Sequence, residues 1–164
     1  MFSVNLLWYY SNHLRRYFIG KLAIALLTSL CILAVGLAFE IVSLKLMAYA
    51  AFGGTIVWVR ELIKDMENAE GEDMFGVQSV PKVWGFVNTK RFIGLVGLIG
   101  ISLLAYFMIR VDSKAIYIWY AGMLPIIILF IVLLSRADRK AHFRRLRHLS
   151  NLLILVGLSS MLIV

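Results

Sequence analysis

The sequence predicts an all-α fold, a polytopic bundle of about five transmembrane helices forming a single membrane domain over residues 1–164. Three observations support this prediction. The 164 residues are 62% hydrophobic and only 16% charged, whereas a soluble domain is typically ~45–50% apolar and ~25% charged. The apolar residues form long segments that approach the ~20 helical residues needed to cross a bilayer. The basic residues are concentrated between those segments.

The predicted spans follow one another with short polar connections. The second span contains Gly53 and Gly54, and small residues at such positions let neighbouring helices approach closely. The fourth contains Pro125 near its middle, which predicts a kink or a position lining a cavity. Residues 1–10 are apolar and aromatic but too few to cross a bilayer. The predicted spans are residues 22–38, 41–59, 92–109, 115–134 and 149–164.

The distribution of basic residues predicts the topology. Five spans place the basic cluster at 13–21, the segment 60–91 and the loop 135–148 on one side of the membrane. The positive-inside rule puts that side in the cytoplasm of a multi-pass protein of the cell (inner) membrane. Such flanking charges indicate anionic membrane lipids as partners. We therefore expect no nucleic acid among the partners, although the net charge is positive. These three regions hold all of the 17 Lys and Arg residues except Lys45, Arg110 and Lys114.

One polar stretch, residues 60–85, separates the second and third spans and reads RELIKDMENAEGEDMFGVQSVPKVWG. It holds all the acidic residues except Glu40, Asp112 and Asp138. We predict that its first part continues the helix of the second span. Four oxygen-bearing side chains then share one stripe at a period near 3.6 residues, with a second stripe of charges beside it. The first stripe is Glu61, Asp65, Asn68 and Glu72, and the second is Arg60, Lys64 and Glu67.

The spacing of these residues leaves two interpretations open. In the first, oxygen atoms of the first stripe bind Mg²⁺, because Mg²⁺ takes one or two carboxylates together with substrate phosphates. Neighbouring cations would hold the remaining phosphate charge, so the substrate would be an amphiphile with a diphosphate head and a lipid body. In the second, the segment is a solvated helix extension with i,i+4 charge pairs.

The polar stretch also resembles a known motif. It is similar to the second aspartate-rich motif of the UbiA family of intramembrane prenyltransferases, and most similar to the geranylgeranylglycerol-phosphate geranylgeranyltransferase branch. That branch reads like R-E-I-x-K-D-x-E-D-x-x-G-D, then a Gly, then T-L-P and a closing Gly. The matching positions are Arg60, Glu61, Lys64, Asp65, Glu67, Gly71, Gly76, Pro81 and Gly85.

A second segment, residues 10–21, adds to the resemblance. It is similar to the family's Y-S-x-x-L-K-R segment and the I-G-N that follows, with Arg15 in place of Lys and Lys21 in place of Asn. In the polar stretch, Asn68 and Glu72 stand where Asp is usual, which predicts weaker Mg²⁺ binding. The family's first aspartate-rich motif, N-D-x-x-D-x-x-x-D, does not occur in this sequence. The order of spans resembles the second half of the UbiA fold, so we expect the N-terminal half to be missing.

The resemblance implies an activity and a set of site residues. In the family, Mg²⁺ bridges two aspartate-rich motifs to an isoprenyl diphosphate at a site facing the cytoplasm. Ionisation of the diphosphate gives an allylic cation that an acceptor attacks. Here the implied metal ligands are Asp65, Asn68 and Glu72, and the implied diphosphate-binding residues are Tyr10, Arg15, Arg16, Lys64 and Arg60.

We expect this chain to be inactive alone, because one motif supplies few metal ligands for the ionisation of a diphosphate. Two alternatives belong to other classes. One is a small multi-span membrane protein that acts as a partner or scaffold and pairs with a separate chain carrying the N-terminal half. The other is a gene fragment without an independent role.

Overall fold

The computed structural model describes residues 18–40, 43–69, 79–110 and 114–160. Within these ranges the chain is helical apart from short connections, and no strand is present. The predicted all-α fold is therefore confirmed. The helices are α1 (Phe18–Ala38), α2 (Leu44–Asn68), α3 (Val80–Trp84), α4 (Phe86–Arg110), α5 (Lys114–Ser135) and α6 (Lys140–Ser160).

Three helical segments of the described residues are long and apolar enough to cross a membrane: Gly20–Ala38, Leu44–Asn68 and Phe86–Leu103. In α5 the apolar stretch Ala121–Ser135 is shorter. The predicted fifth span belongs to α6, whose first half is basic, so charge shortens its apolar length. The described part of the chain thus has five long helices, three of which are long and apolar enough to cross a membrane, and the prediction that all five cross it stays a prediction.

The helix α2 is the centre of the bundle and packs against α1, α4 and α6. It begins at Ser43, whose hydroxyl accepts a hydrogen bond from the backbone N–H of Leu46 at 3.3 Å, as an N-cap residue does. Its apolar side chains are buried on several sides because neighbouring helices surround it. The buried apolar residues of α2 are Ala48, Tyr49, Ala50, Phe52, Ile56, Val59, Leu62, Ile63 and Met66.

The antiparallel contact between α1 and α2 depends on small residues, as predicted for the glycine pair. A Cβ atom on Gly54 would overlap the Ser29 hydroxyl and lie 3.1 Å from the Ala25 carbonyl oxygen. The Ser29 hydroxyl donates a hydrogen bond to the Ala50 carbonyl oxygen at 2.8 Å, which joins the two helices. A Cβ on Gly53 would lie 3.0 Å from Ile32 Cδ1. The close approach therefore requires glycine at position 54, whereas a Cβ at position 53 would only require the Ile32 side chain to shift.

The predicted loop 135–148 is wrong in part. The region 135–148 is not a loop after the first few residues, because α6 begins at Lys140. Its Phe143 and Leu146 are fully buried in the core formed with α2, and burial of that apolar face stabilises a helix despite the surrounding charge. In the segment 60–91, α2 continues to Asn68, as predicted, and α4 starts at Phe86, six residues before the predicted start of the third span.

The short helix α3 comes directly before α4. Pro81 lies in its first turn, where the missing N–H costs no helical hydrogen bond. Gly85 ends the helix with a φ of 80°, a backbone conformation that favours glycine. The chain then enters α4 directly. Pro125 lies inside α5, where its side chain is exposed.

Candidate functional site

Three buried carboxylates lie in the last part of α2: Glu61, Asp65 and Glu67. A buried carboxylate is costly unless a cation or several hydrogen-bond donors balance it. Each of the three contacts a lysine or arginine. The cluster of these carboxylates and their cations is called the paired-charge cluster below, and it brings together α1, α2 and α6.

Asp65 is paired with Lys21. The ammonium Nζ of Lys21 contacts Oδ2 of Asp65, and the two side chains are only 12% and 8% exposed. Lys21 comes from the first turn of α1 and Asp65 from the last turn of α2. Because these two helices run antiparallel and pack closely, the beginning of one lies beside the end of the other. The ion pair is therefore a direct product of the α1–α2 contact.

Glu61 lies at the centre of a second group of contacts. Arg60 donates a hydrogen bond from Nη1 to Glu61 Oε1 at 2.9 Å and another from Nε to Asn151 Oδ1 of α6 at 2.7 Å. Lys64 Nζ is 3.8 Å from Glu61 Oε2, and its side chain is 44% exposed. Arg60 is thus held in one orientation, whereas the loosely paired Lys64 side chain reaches solvent.

Glu67 connects α2 to the basic half of α6. Its side chain is 6% exposed and accepts a hydrogen bond from Arg144 Nε to Oε1 at 3.3 Å. Arg147 Nε lies 3.1 Å from the other oxygen, Oε2, as an ion pair. Two arginines one turn apart on α6 therefore clamp a single buried carboxylate.

The structure places four of the predicted site residues together at this end of α2: Arg60, Lys64, Asp65 and Asn68. Of the first stripe, Glu61, Asp65 and Asn68 thus lie on one helix, as predicted, and α2 ends at Asn68. The other four predicted residues lie outside the described part of the chain, and they are Glu72, Tyr10, Arg15 and Arg16.

Sequence reasoning missed the partners that the other helices supply. Lys21 appeared only as a departure from the resembling I-G-N segment, and Glu67 only as a member of a second stripe. Arg144, Arg147 and Asn151 lie in a region that was interpreted as a loop and a last span. The apolar spacing of residues 143, 146, 149 and 153, which has a helical period, is the signal that could have revealed α6 as one helix.

The paired-charge cluster, as described, does not fit a Mg²⁺ ion. No group of three or more His, Cys, Asp or Glu side chains comes together as a metal site among the described residues. The carboxylates instead face separate protein cations: Lys21 for Asp65, Arg60 for Glu61, and the α6 arginines for Glu67. Mg²⁺ binds through carboxylate oxygens that it can approach, so a lysine in contact with Asp65 competes with it.

Two apolar cavities lie within the described bundle. One, of about 180 Å³, lies between α1, α2 and α6, and the other, of about 50 Å³, lies between α2, α4, α5 and α6. Small-molecule pockets usually measure ~300–1,000 Å³, so neither cavity alone has the volume for a long isoprenoid. Phe52 and Ile56 line both cavities.

The fold and this site define a class: a membrane-embedded helical bundle with a strongly charged end on its central helix. The family model of the UbiA prenyltransferase family matches residues 1–152. The chain belongs to that family, whose members are helical proteins integral to membranes. Comparisons with curated proteins and with solved structures found no similar chain.

Proposed function

We propose that this chain is a prenyltransferase polypeptide that binds an isoprenyl diphosphate and takes part in transfer of the isoprenyl group to an acceptor. The observation that supports this function most strongly is the family match over residues 1–152. It is supported further by Arg60 and Lys64, which lie in the last third of α2, at the charged end of this helix. A diphosphate head at that end and a lipid body in the bilayer would suit such an arrangement. We place this charged end in the cytoplasm.

The proposed diphosphate site uses the two cations of α2 in different ways. Arg60 is oriented by Glu61 and Asn151, and a guanidinium has five N–H donors, more than these two bonds use. Lys64 is partly exposed and only 3.8 Å from Glu61, so it can turn towards a phosphate with little loss. Tyr10, Arg15 and Arg16 complete the proposed set on the basis of the family resemblance.

We further propose that the sequence corresponds to the second half of the UbiA fold, nearest to the geranylgeranylglycerol-phosphate branch. Turnover would then require a first aspartate-rich motif from outside residues 1–164, in the same polypeptide or in a separate chain. The pairing of Glu61, Asp65 and Glu67 with protein cations supports this proposal. UbiA prenyltransferases generally use Mg²⁺, and Asp65, Asn68 and Glu72 remain the proposed ligands in an assembled enzyme. The described arrangement does not fit the ion, so the function proposed for this chain alone is diphosphate binding without turnover.

A role as a membrane partner or scaffold is the second candidate. The complete pairing of Glu61, Asp65 and Glu67 favours it, because such pairs organise contacts between helices. This role predicts binding to another membrane chain and no affinity for an isoprenyl diphosphate.

Binding to a labelled isoprenyl diphosphate distinguishes the two candidates. The purified full chain in detergent micelles is titrated with geranylgeranyl diphosphate, and Lys64→Ala is compared with Lys45→Ala, a matched loss of one lysine at the opposite end of α2. We expect saturable binding that Lys64→Ala weakens about tenfold, as for loss of a hydrogen bond to a charged group, and that Lys45→Ala leaves unchanged.

Transfer is measured separately, with Mg²⁺ and an acceptor extract. We expect none from this chain alone and activity after co-expression with a membrane chain bearing N-D-x-x-D-x-x-x-D. Failure to bind the diphosphate, or equal effects of the two lysine substitutions, would refute the proposed function. Normal transfer by the chain alone would refute the proposal that it is half of the enzyme.

A further inference from the structure

We infer that, in this chain by itself, Lys21 is the counter-ion that takes the place of a divalent cation at Asp65. The inference concerns the chain's own residues and holds whether or not the chain binds an isoprenyl diphosphate. It explains why the described cluster does not fit Mg²⁺ even though the motif around Asp65 resembles a metal-binding one. A lysine of this chain supplies the positive charge that the carboxylate requires.

The first support is the burial of the pair. With side-chain exposures of 12% for Lys21 and 8% for Asp65, both charges are largely removed from water. Opposite charges in such surroundings attract strongly, and breaking the pair leaves one of them buried without compensation. Mg²⁺ could reach Oδ2 of Asp65 only by displacing the ammonium that contacts it. In this chain by itself, the lysine therefore competes with a divalent cation for the carboxylate.

The second support is the rigidity of the backbones that carry the two residues. The hydrogen bond from Ser29 to Ala50 joins α1 to α2, and Gly54 permits their close approach. Lys21 lies two turns before Ser29 on α1, and Asp65 lies three turns after Gly54 on α2. Since the helices are already in contact, the pair forms with little additional loss of backbone freedom, unlike an exposed pair of long side chains.

The third support is the residue type. Residue 21 is a lysine, whose ammonium group carries a positive charge. An amide cannot neutralise a buried carboxylate, whereas an ammonium can. We therefore expect Lys21→Asn to leave Asp65 with an uncompensated negative charge and to create affinity for a divalent cation at this position.

The experiment uses Mn²⁺ alone as the probe, with the purified full chain in detergent. Free Mn²⁺ gives a strong paramagnetic resonance signal that decreases when the ion binds. Four forms are titrated together with the wild-type chain: Asp65→Asn, Lys21→Asn, the double variant of these two, and the control Lys90→Asn. Lys90 is a suitable control because it also pairs with a carboxylate of another region, Asp138, at 2.8 Å.

We expect the wild type, Asp65→Asn and Lys90→Asn to bind Mn²⁺ equally weakly. Lys21→Asn should bind at least tenfold more tightly, and the double variant should lose that gain. The inference is overturned if Asp65→Asn reduces Mn²⁺ binding of the otherwise unchanged chain, or if Lys21→Asn gains none. If Lys21→Asn does not fold, the comparison of the wild type with Asp65→Asn decides alone. A chain that fails to bind isoprenyl diphosphate would contradict the proposed function without affecting this result.

Discussion

Removal of the Glu67 charge tests whether the basic segment after residue 139 is a packed helix, as the structure shows, or a solvated loop. Glu67 is the buried member of a three-residue ion cluster with Arg144 and Arg147. In Glu67→Gln the side chain keeps its size but loses its charge. The two arginines then face an amide instead of a carboxylate, so the contact between α2 and the first half of α6 weakens.

The size of the stability loss in Glu67→Gln follows from how exposed Arg144 and Arg147 are. Breaking a fully buried ion pair costs ~3–5 kcal/mol, whereas exposed pairs contribute only ~0–1 kcal/mol. Arg144 is 60% exposed and Arg147 is 32% exposed, so both can regain part of their hydration when the carboxylate is lost. We therefore expect Glu67→Gln to lower the free energy of unfolding by about 2 kcal/mol, or about 30-fold in the unfolding equilibrium.

The assay is denaturant unfolding in mild detergent, followed by tryptophan fluorescence, with amide hydrogen exchange over residues 140–148 as a local readout. The matched control is Arg145→Gln, since Arg145 lies between the two clamping arginines and is exposed. A surface change of this kind usually alters stability by no more than ~0.5 kcal/mol. The reasoning is refuted if the two variants are equally stable, or if residues 140–148 exchange in the wild type as fast as an unfolded peptide. A double-mutant cycle of Glu67→Gln with Arg147→Gln should show a coupling energy of at least ~0.5 kcal/mol.

The remaining predictions concern helix packing and one exposed ion pair. Gly54→Ala should destabilise the bundle by ~1–3 kcal/mol, because the added Cβ overlaps Ser29. Gly94→Ala should be neutral or stabilising in the same unfolding assay, because a Cβ there meets nothing within 4 Å. Equal effects of the two substitutions would show that α1 and α2 do not pack closely at Gly54. The hydrogen bond and positive charge of Lys90 hold the pKa of Asp138 below its usual value. The stabilisation by this pair is therefore present above the ordinary pKa of an aspartate, and it is lost as pH falls through the lowered pKa. Lys90→Gln should therefore raise the pKa of Asp138 in a carboxyl NMR titration, and an unchanged titration would show that the pair does not form in solution.

The sequence was sufficient for the properties that depend on local pattern. Apolar content and segment length predicted an all-α membrane bundle, and continuing the helix of the second span past residue 60 predicted that Glu61, Asp65 and Asn68 lie on one helical stripe. Both are confirmed within the described residues. The motif in residues 60–85 was enough to suggest the family that the family model then matched. The topology, the metal ligands and the diphosphate contacts stay predictions.

The density of charge predicted the wrong local structure where the burial of apolar side chains between helices outweighs it. The run of basic residues before His148 was interpreted as a loop, because hydropathy averages over a segment and hides the two buried residues, Phe143 and Leu146, that dock it on α2. A helix can bury a narrow apolar face while its other faces stay charged. The helical spacing of apolar residues 143, 146, 149 and 153 is present in the sequence, whereas charge density alone favours a loop.

By itself, the sequence determined which residue types are available at the end of the central helix: three carboxylates among many cations. Only the tertiary structure decided which cation meets which carboxylate. Asp65 pairs with Lys21 because α1 and α2 are antiparallel and glycine lets them approach, and Glu67 pairs with arginines of α6 because that helix packs along α2. Ion pairing acts through space over a few ångströms and desolvation sets its strength, so it depends on contacts between segments that are distant in the sequence.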